Sequence, residues 1–215
     1  MAYIISADEI KKTLPHYDPA HSEDVHPASA KLADAMYVEA LKERPEKKVI
    51  LMAGGTASGK SEYVAAYLET EDVIVFDGTL PTLQGATIKI KKAQKAGKKV
   101  EVHLVLPTYL TVAFIVFLNR ERKLAEEHFF RTHAKSRKTV LEIAKTLPDI
   151  EIEIIESDVS FVNFFKRWGS MNFRRIKFDS KTQLIDFLRQ NQYSETQIKE
   201  TIHHDFPNSS QTLSQ

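Results

Sequence analysis

The fold follows from one segment of this chain, Gly54-Gly55-Thr56-Ala57-Ser58-Gly59-Lys60-Ser61. It matches the phosphate-binding loop pattern G-x-x-x-x-G-K-[ST] at every fixed position. The apolar run 48–53 before it predicts a buried strand, and residues 61–69 after it predict a helix. A phosphate loop needs that order, because backbone N–H groups and a helix N-terminus must converge on one anion. We therefore expect all eight residues to bind a nucleotide, with Lys60 at the β- and γ-phosphates and Ser61 on Mg²⁺.

Composition limits the classes of protein to which the chain can belong. Its 215 residues are 42% hydrophobic and 27% charged, which is ordinary for a soluble globular protein with one sizeable core. The net charge of +1 gives no bulk attraction to nucleic acid or membranes. The absence of cysteine excludes disulfides, thiolate catalysis and cysteine metal sites. The sequence opens without a signal-peptide pattern and its apolar runs are too short to span a bilayer, so we expect a cytoplasmic protein without a membrane partner.

Predicted strands alternate with predicted helices along most of the chain. This alternation predicts a three-layer α/β fold of the P-loop NTPase (kinase-like) type, with a mostly parallel sheet flanked by helices. We expect one domain over residues 1–205, made of an N-terminal segment 1–47, a nucleotide-binding core and lid 48–148, and C-terminal strands and helices 149–205, followed by a flexible tail 206–215. The predicted strands are 3–5, 48–53, 73–76, 100–106, 150–155 and 173–178, and the predicted helices are 8–14, 27–43, 61–69, 83–96, 109–124, 140–147, 181–190 and 194–203.

Two acidic positions follow predicted strands, where a parallel sheet places its active site. Asp77 ends the strand 73–76, a position from which a carboxylate can hold Mg²⁺, its water or a substrate hydroxyl. Asp8, with Glu9, follows the short strand 3–5 and could accept the proton of a substrate hydroxyl. The alternative interpretation of both positions is structural, since Asp-Gly-Thr is a good turn and Asp-Glu is an ordinary helix start.

Four arginines lie in a basic stretch that predicts a lid over the nucleotide: Arg120, Arg122, Arg131 and Arg137. Phosphoryl transfer places negative charge on the γ-phosphate oxygens, and arginine from a lid can neutralise that charge. The alternative is a solvated helix face, which accounts for most surface arginines. We expect one or two of the four to be catalytic.

Three motifs together give the chain a resemblance to a known family. The first is the loop itself. The second is Phe76-Asp77-Gly78-Thr79-Leu80, followed by the helix 83–96 and the strand 100–106. The third is Ile4-Ile5-Ser6-Ala7-Asp8-Glu9-Ile10-Lys11-Lys12, then Leu14-Pro15-His16-Tyr17 and His26-Pro27-Ala28-Ser29. Over residues 3–148 the chain resembles the zeta-toxin family of P-loop kinases, which is itself similar to chloramphenicol phosphotransferases, and the third motif is the specific one.

The order of these motifs differs from their order in that family. There the Asp-bearing unit lies between the loop helix and the acidic-Gly-Thr strand, whereas here it precedes the loop. The chain therefore resembles a circularly permuted member of the family. Permutation costs little in stability when the same strands still lie side by side, because a site depends on spatial neighbours and not on chain order. This interpretation predicts that the Asp8 carboxylate faces the loop across the same cleft as Asp77.

The resemblance implies a function and a role for each matching residue. It implies Mg²⁺-dependent transfer of the γ-phosphate of ATP (or GTP) to a hydroxyl of a small molecule, such as the UDP-amino sugar UDP-N-acetylglucosamine. Asp8 would be the general base, and Asp77 with Thr79 would position the substrate or the metal. Arg120 and Arg131 match the two arginines that embrace the transferred phosphate, although Arg122 and Arg137 compete with them in register. The residues of the third motif that would contact the substrate are His26 and Ser29. The family also implies a toxin that has an antitoxin protein as partner.

Two other classes of function stay open on the sequence alone. One is a phosphotransferase that acts on a nucleoside, an antibiotic or the end of a polynucleotide, the last being disfavoured by the near-neutral net charge. The other is a nucleotide-binding regulatory module that transfers nothing. An assay of phosphate transfer over a panel of acceptors distinguishes these classes.

Overall fold

A single sheet organises the computed structural model, which describes residues 1–121, 124–159 and 171–205. Its strands are β1 (Tyr3–Ser6), β2 (Lys48–Ala53), β3 (Val73–Asp77), β4 (Lys99–Pro107), β5 (Glu151–Asp158) and β6 (Asn172–Ile176). Their order across the sheet is β1-β3-β2-β4-β5-β6. Strands β1 to β5 run parallel to their neighbours, and β6 pairs antiparallel with β5 at one edge. The predicted mostly parallel α/β sheet is therefore confirmed, while the tail predicted over 206–215 lies outside the described residues.

Helices cover both faces of the sheet. In the described ranges they are α1 (Ala7–Thr13), α2 (His26–Glu43), α3 (Lys60–Tyr63, continued by a π-helical turn over Val64–Leu68), α4 (Leu83–Lys95), α5 (Leu110–Leu118), α6 (Glu126–Thr146), α7 (Lys181–Gln190) and α8 (Glu195–Asp205). A 3-10 turn (Pro19–His21) lies between α1 and α2. None of these helices has the length and apolar character that a membrane crossing requires.

Two helix boundaries differ from the sequence prediction. The helix predicted over 109–124 ends at Leu118, and the Asn119 side chain then donates to the carbonyl oxygen of Ile115. The helix predicted over 140–147 is only the end of α6, which begins at Glu126. The buried face of α6 carries His133, Ser136 and Arg137, and these polar residues interrupt the apolar periodicity by which a helix is recognised in a sequence.

The apolar side chains of β2 alternate between two cores, which shows how the loop strand is held. Val49, Leu51 and Ala53 face the core shared with α2, α4, α6 and α7. Ile50 and Met52 face the opposite core, to which Tyr63 and Val64 contribute after the loop. Burial on both faces explains the continuous apolar run of this strand and fixes the position of the loop that follows it.

The register of β1 brings the N-terminal segment to the loop. Tyr3 pairs with Ile74 and Ser6 pairs with Asp77, so β1 and β3 end at the same level. Strand β2 lies on the other side of β3 and runs in the same direction. The carboxyl ends of β1, β3 and β2 therefore open at one edge of the sheet, where α1 begins directly after Ser6.

Candidate active site

A cavity of about 380 Å³ lies at the carboxyl ends of β1, β3 and β2. Its walls come from the glycine-rich loop, the start of α1, the turn after β3 and one face of α6. The residues predicted from the sequence that line it are Asp8, His26, Thr56, Ala57, Ser58, Gly59, Lys60, Ser61, Asp77, Thr79, Arg120 and Arg131. The structure thus brings most of the predicted site residues to one cleft.

The loop has the backbone conformation that a tight anion cradle needs. Gly54 and Gly59 have φ angles of 137° and 87°, which favour glycine because a side chain in this region is strained. A Cβ at Gly54 would also lie 2.5 Å from the carbonyl oxygen of Val105. Ala57 takes a φ of 62° without being glycine, so strain is retained at the tip of the loop.

The Lys60 side chain folds back and bonds to the backbone of the loop that precedes it. Its Nζ donates to the carbonyl oxygens of Gly55 at 2.7 Å and Gly54 at 3.1 Å. Gly54 and Gly55 do not line the cavity themselves. Their carbonyl oxygens instead hold the ammonium group of Lys60 in place. Burial lowers the pKa of Lys60 from its ordinary value, and the carboxylate of Asp77 opposes that shift. The loop therefore holds one positive charge where an anion would bind.

Ser61 and Asp77 form the pair of oxygen groups best placed to bind a magnesium ion. The Ser61 Oγ donates to Oδ2 of Asp77 at 2.9 Å, across the gap between the loop and the end of β3. Burial raises the pKa of Asp77, while the Lys60 ammonium and the Ser61 hydroxyl oppose that shift. Among the described residues no group of three or more acidic or histidine side chains is placed to hold a metal. A Mg²⁺ at this pair would complete its coordination with phosphate oxygens and water, as this ion commonly does.

Asp8 faces the loop across the same cavity as Asp77, as the sequence predicted. Burial lowers the pKa of Lys60, and the Asp8 carboxylate opposes that shift. Burial raises the pKa of Asp77, and the Asp8 carboxylate adds to that shift. Nζ of Lys11 lies 3.5 Å from Oδ1 of Asp8, and the Lys11 side chain is only 5% exposed. A buried cation thus accompanies the carboxylate for which the family resemblance predicts the role of general base.

Ser29 does not reach this cavity, contrary to its predicted contact with substrate. It is fully buried inside the first turns of α2, and its Oγ donates to the carbonyl oxygen of His26 at 3.0 Å. The serine therefore packs within the first turn of the helix and bonds back to its backbone, and His26 is the residue of this pair that lines the cleft.

The four candidate arginines separate into three groups. Arg120 and Arg131 both line the cavity, and Arg122 lies outside the described residues. Arg137, the other competitor in register, is buried behind the loop and lines a different cavity, so the structure does not place it at the cleft. The Nη2 of Arg131 lies 3.5 Å from Nδ1 of His128, a neighbour on the same helix.

Several cavity residues were missed from the sequence: Lys11, Glu23, Glu62, His128, Thr132 and Lys135. Three of them share a signal that was available. His128, Thr132 and Lys135 follow one another at helical spacing, and with Arg131 they form one face of α6. That face was not recognised because the basic stretch was not predicted to be helical. His128 also links this face to the N-terminal segment, since its Nδ1 lies 3.6 Å from Oε1 of Glu23.

Comparison with known proteins adds no identity to this geometry. No model of a known protein family matches the chain. A comparison with the curated proteins likewise finds no relative.

Proposed function

We propose that this protein is a zeta-toxin-like kinase that transfers the γ-phosphate of ATP or GTP, as its Mg²⁺ complex, to a hydroxyl of a small molecule. The observation that carries the proposal is the convergence of Asp8, Asp77 and Lys60 on one cavity. A simple nucleotide-binding module needs the loop and an acidic partner for its serine. It does not need a second carboxylate, delivered by a separate strand, on the opposite wall of the cleft.

Each group in the cleft has a role in this reaction. The loop N–H groups and Lys60 bind the phosphates, and Arg120 and Arg131 neutralise the charge that develops on the γ-phosphate. Asp8 accepts the proton of the acceptor hydroxyl as its oxygen bonds to the γ-phosphorus, and the bond from phosphorus to the β-phosphate oxygen breaks to release the nucleoside diphosphate. Ser61 and Asp77 would hold Mg²⁺, which would supply further positive charge to the phosphates.

The sheet order supports the permutation that the resemblance implies. Strand β1, which leads into Asp8 at the start of α1, lies beside β3, although the whole loop unit separates the two strands in the chain. In the zeta-toxin order the Asp-bearing strand would arrive after the loop helix. We infer that the same set of neighbouring strands is reached here by a different path of the chain, so that the acceptor half of the site comes first.

One cation beyond those assigned to the nucleotide favours an anionic acceptor. Lys135 lines the cavity in addition to the cations that would hold the nucleotide phosphates, whereas Lys11 is paired with Asp8. A UDP-amino sugar such as UDP-N-acetylglucosamine carries its own phosphates and a free hydroxyl, so one of its phosphates would pair with Lys135. A neutral nucleoside or antibiotic would offer Lys135 no such partner, and the remaining charges of the cavity are the carboxylates of Asp8, Glu23, Glu62 and Asp77.

The test is a phosphate-transfer assay with the purified full chain and γ-labelled Mg-ATP. The acceptor panel holds UDP-N-acetylglucosamine, nucleosides, chloramphenicol and an oligonucleotide. We expect label on UDP-N-acetylglucosamine, and a fall in rate of about 100-fold or more for Asp8→Asn with nucleotide binding retained. Glu9→Gln is the matched control, because Glu9 is exposed, pairs with Lys12 at 2.7 Å and lies outside the cavity lining.

The outcomes separate the competing functions. Transfer of label to a different acceptor would support the proposed kinase activity and contradict the proposed class of substrate. Nucleotide binding without label on any acceptor would favour the regulatory module. Equal rates for Asp8→Asn and the unmodified protein would overturn the assignment of the general base.

A further inference from the structure

Two side chains of helix α6 form hydrogen bonds with the backbone N–H and C=O of one loop residue, Thr56. The N–H of Thr56 donates to Oγ1 of Thr132 at 3.1 Å, and Nε2 of His133 lies 2.9 Å from the carbonyl oxygen of Thr56. A Cβ on the neighbouring Gly55 would overlap the His133 ring at 2.2 Å. The imidazole therefore lies directly against the loop backbone, 77 positions away in the chain.

Arg137 determines which nitrogen of His133 carries the proton. Its Nη1 lies 3.1 Å from Nδ1 of His133, and a guanidinium can only donate. Nδ1 must then be the acceptor, so the proton of the neutral ring is on Nε2 and is donated to Thr56. Burial, with the charge of Arg137 second, lowers the pKa of His133 well below its ordinary value and keeps the ring in this neutral form.

The buried guanidinium of Arg137 destabilises the fold. Arg137 is 3% exposed. Among the described residues no carboxylate forms an ion pair with it, and its Nε has no hydrogen-bond partner. Its guanidinium instead lies 5.7 Å from the ring centroid of Tyr193. A buried cation without a counter-ion destabilises a fold, and an apolar side chain would fill the space more favourably. A role in the site accounts for the arginine better than packing does.

The direction of the Thr56 carbonyl determines the direction of the Ala57 N–H, because both groups belong to the same peptide unit. A trans peptide is planar, and the described residues contain no cis peptide bond, so the N–H of Ala57 points away from His133. Ser157 acts in the same way from the end of β5, because its Oγ donates to the carbonyl oxygen of Ser58 at 2.7 Å. The two contacts turn the carbonyls of Thr56 and Ser58 outward and leave the N–H groups of Ala57 and Gly59, which belong to the same two peptides, for the inside of the loop.

We propose that His133, held in one tautomer by Arg137, is a positioning residue that keeps the Thr56–Ala57 peptide oriented for the phosphates of the nucleotide. The inference rests on the proposed function, since it names residues that prepare the same loop. It adds a specific effect, because His133 and Arg137 would change the affinity for the nucleotide and would make no contact with the acceptor.

The test compares Mg-ATP affinity by calorimetry for the unmodified chain and four variants, at a temperature where circular dichroism shows each to be fully folded. We expect His133→Leu to weaken binding about tenfold, because the unheld peptide must be ordered on binding. His133→Gln should lose about threefold or less, since its amide can still donate to Thr56. Arg137→Met should fall between the two.

The control is Val140→Ala, which removes buried apolar volume from the same helix away from the loop. It should lower the melting temperature and leave Mg-ATP affinity unchanged. Equal affinity for His133→Leu and the unmodified chain would overturn the inference, and so would an equal loss in Val140→Ala. An unmodified chain that fails to bind Mg-ATP would instead overturn the proposed function itself.

A second measurement does not depend on nucleotide. The ¹⁵N chemical shifts of the His133 imidazole report its tautomer, and we expect protonated Nε2 with unprotonated Nδ1 in the unmodified chain. In Arg137→Met the Thr56 carbonyl still favours protonated Nε2, so we expect this tautomer to stay the major form while a minor Nδ1-protonated form appears. Protonated Nδ1 in the unmodified chain would overturn the inference whatever the binding data show.

Discussion

Gly55→Ala tests the closest contact in the site. The added Cβ would lie 2.2 Å from Cγ and Cδ2 of His133 and 2.4 Å from Nδ1, about 1 Å short of an ordinary van der Waals contact. The ring cannot easily yield, because Thr56 and Arg137 hold its two nitrogens. We expect the loop to move instead, with a loss of about 1–3 kcal/mol in the free energy of unfolding and loss of nucleotide binding.

The assay for Gly55→Ala is urea denaturation followed by Mg-ATP titration of the folded variant. Gly97→Ala is the control: Gly97 has a φ of 72° but nothing within 4 Å of the added Cβ, so this variant should lose about 1 kcal/mol and bind normally. Adding His133→Ala to Gly55→Ala should recover part of the lost stability, since the obstacle is removed. A Gly55→Ala protein that matches the unmodified chain in both assays would refute the described contact between the loop and α6.

Three further predictions follow from charges and caps. Asp77→Asn should weaken the effect of Mg²⁺ on ATP affinity about tenfold and remove its pH dependence. In the unmodified chain the raised pKa of Asp77 means that Mg-ATP affinity falls with decreasing pH before an ordinary aspartate would titrate, and a titration midpoint near pH 4 would contradict this. A hydrogen bond from His103, ahead of other causes, lowers the pKa of Glu101 to about 2, so its ionised form stabilises the fold above pH 4.5 and this stabilisation is lost as pH falls toward 2. Glu101→Gln should therefore lower the free energy of unfolding by up to about 3 kcal/mol at pH 7, with the difference shrinking below pH 4.5, and a difference that is constant with pH would contradict the assignment. Thr82→Ala removes the cap that accepts from the N–H of Gly85 and should destabilise α4 by about 1 kcal/mol in urea, whereas an unchanged midpoint would show that the cap contributes nothing.

The sheet and the loop could be predicted because their signals are local. The apolar run of β2, the glycines after it and the helix start of α3 lie within about twenty residues, and each has one favoured structure. Asp77 and Asp8 could be placed at the same edge because parallel strands end together. The register that sets Ser6 opposite Asp77 is the structural fact behind that prediction.

The lid side of the cleft could not be predicted with the same success. Its wall is the face of α6 that carries His128, Thr132 and Lys135, and helical periodicity was hidden because the buried face of the same helix is partly polar. The predicted contact of Ser29 with substrate was wrong for a different reason. A serine in the first turns of a helix can point into a cleft or bond back to the helix, and only its neighbours in space decide between the two.

The eight-residue loop supplies the groups that would bind a nucleotide, but the rest of the chain orients them. Asp77 contacts the loop from 16 positions away, Thr132 from 76 and Ser157 from 99, each from a different element. The conformation of the loop therefore depends on the completed sheet and on α6, because no contact within the loop fixes the direction of the Thr56 and Ser58 carbonyls. The N-terminal segment meets this assembly from the opposite wall, through Asp8. Since the N-terminal segment is held by the pairing of β1 with β3 and not by its place in the chain, the acceptor half can occupy any position in the chain order that still places β1 beside β3.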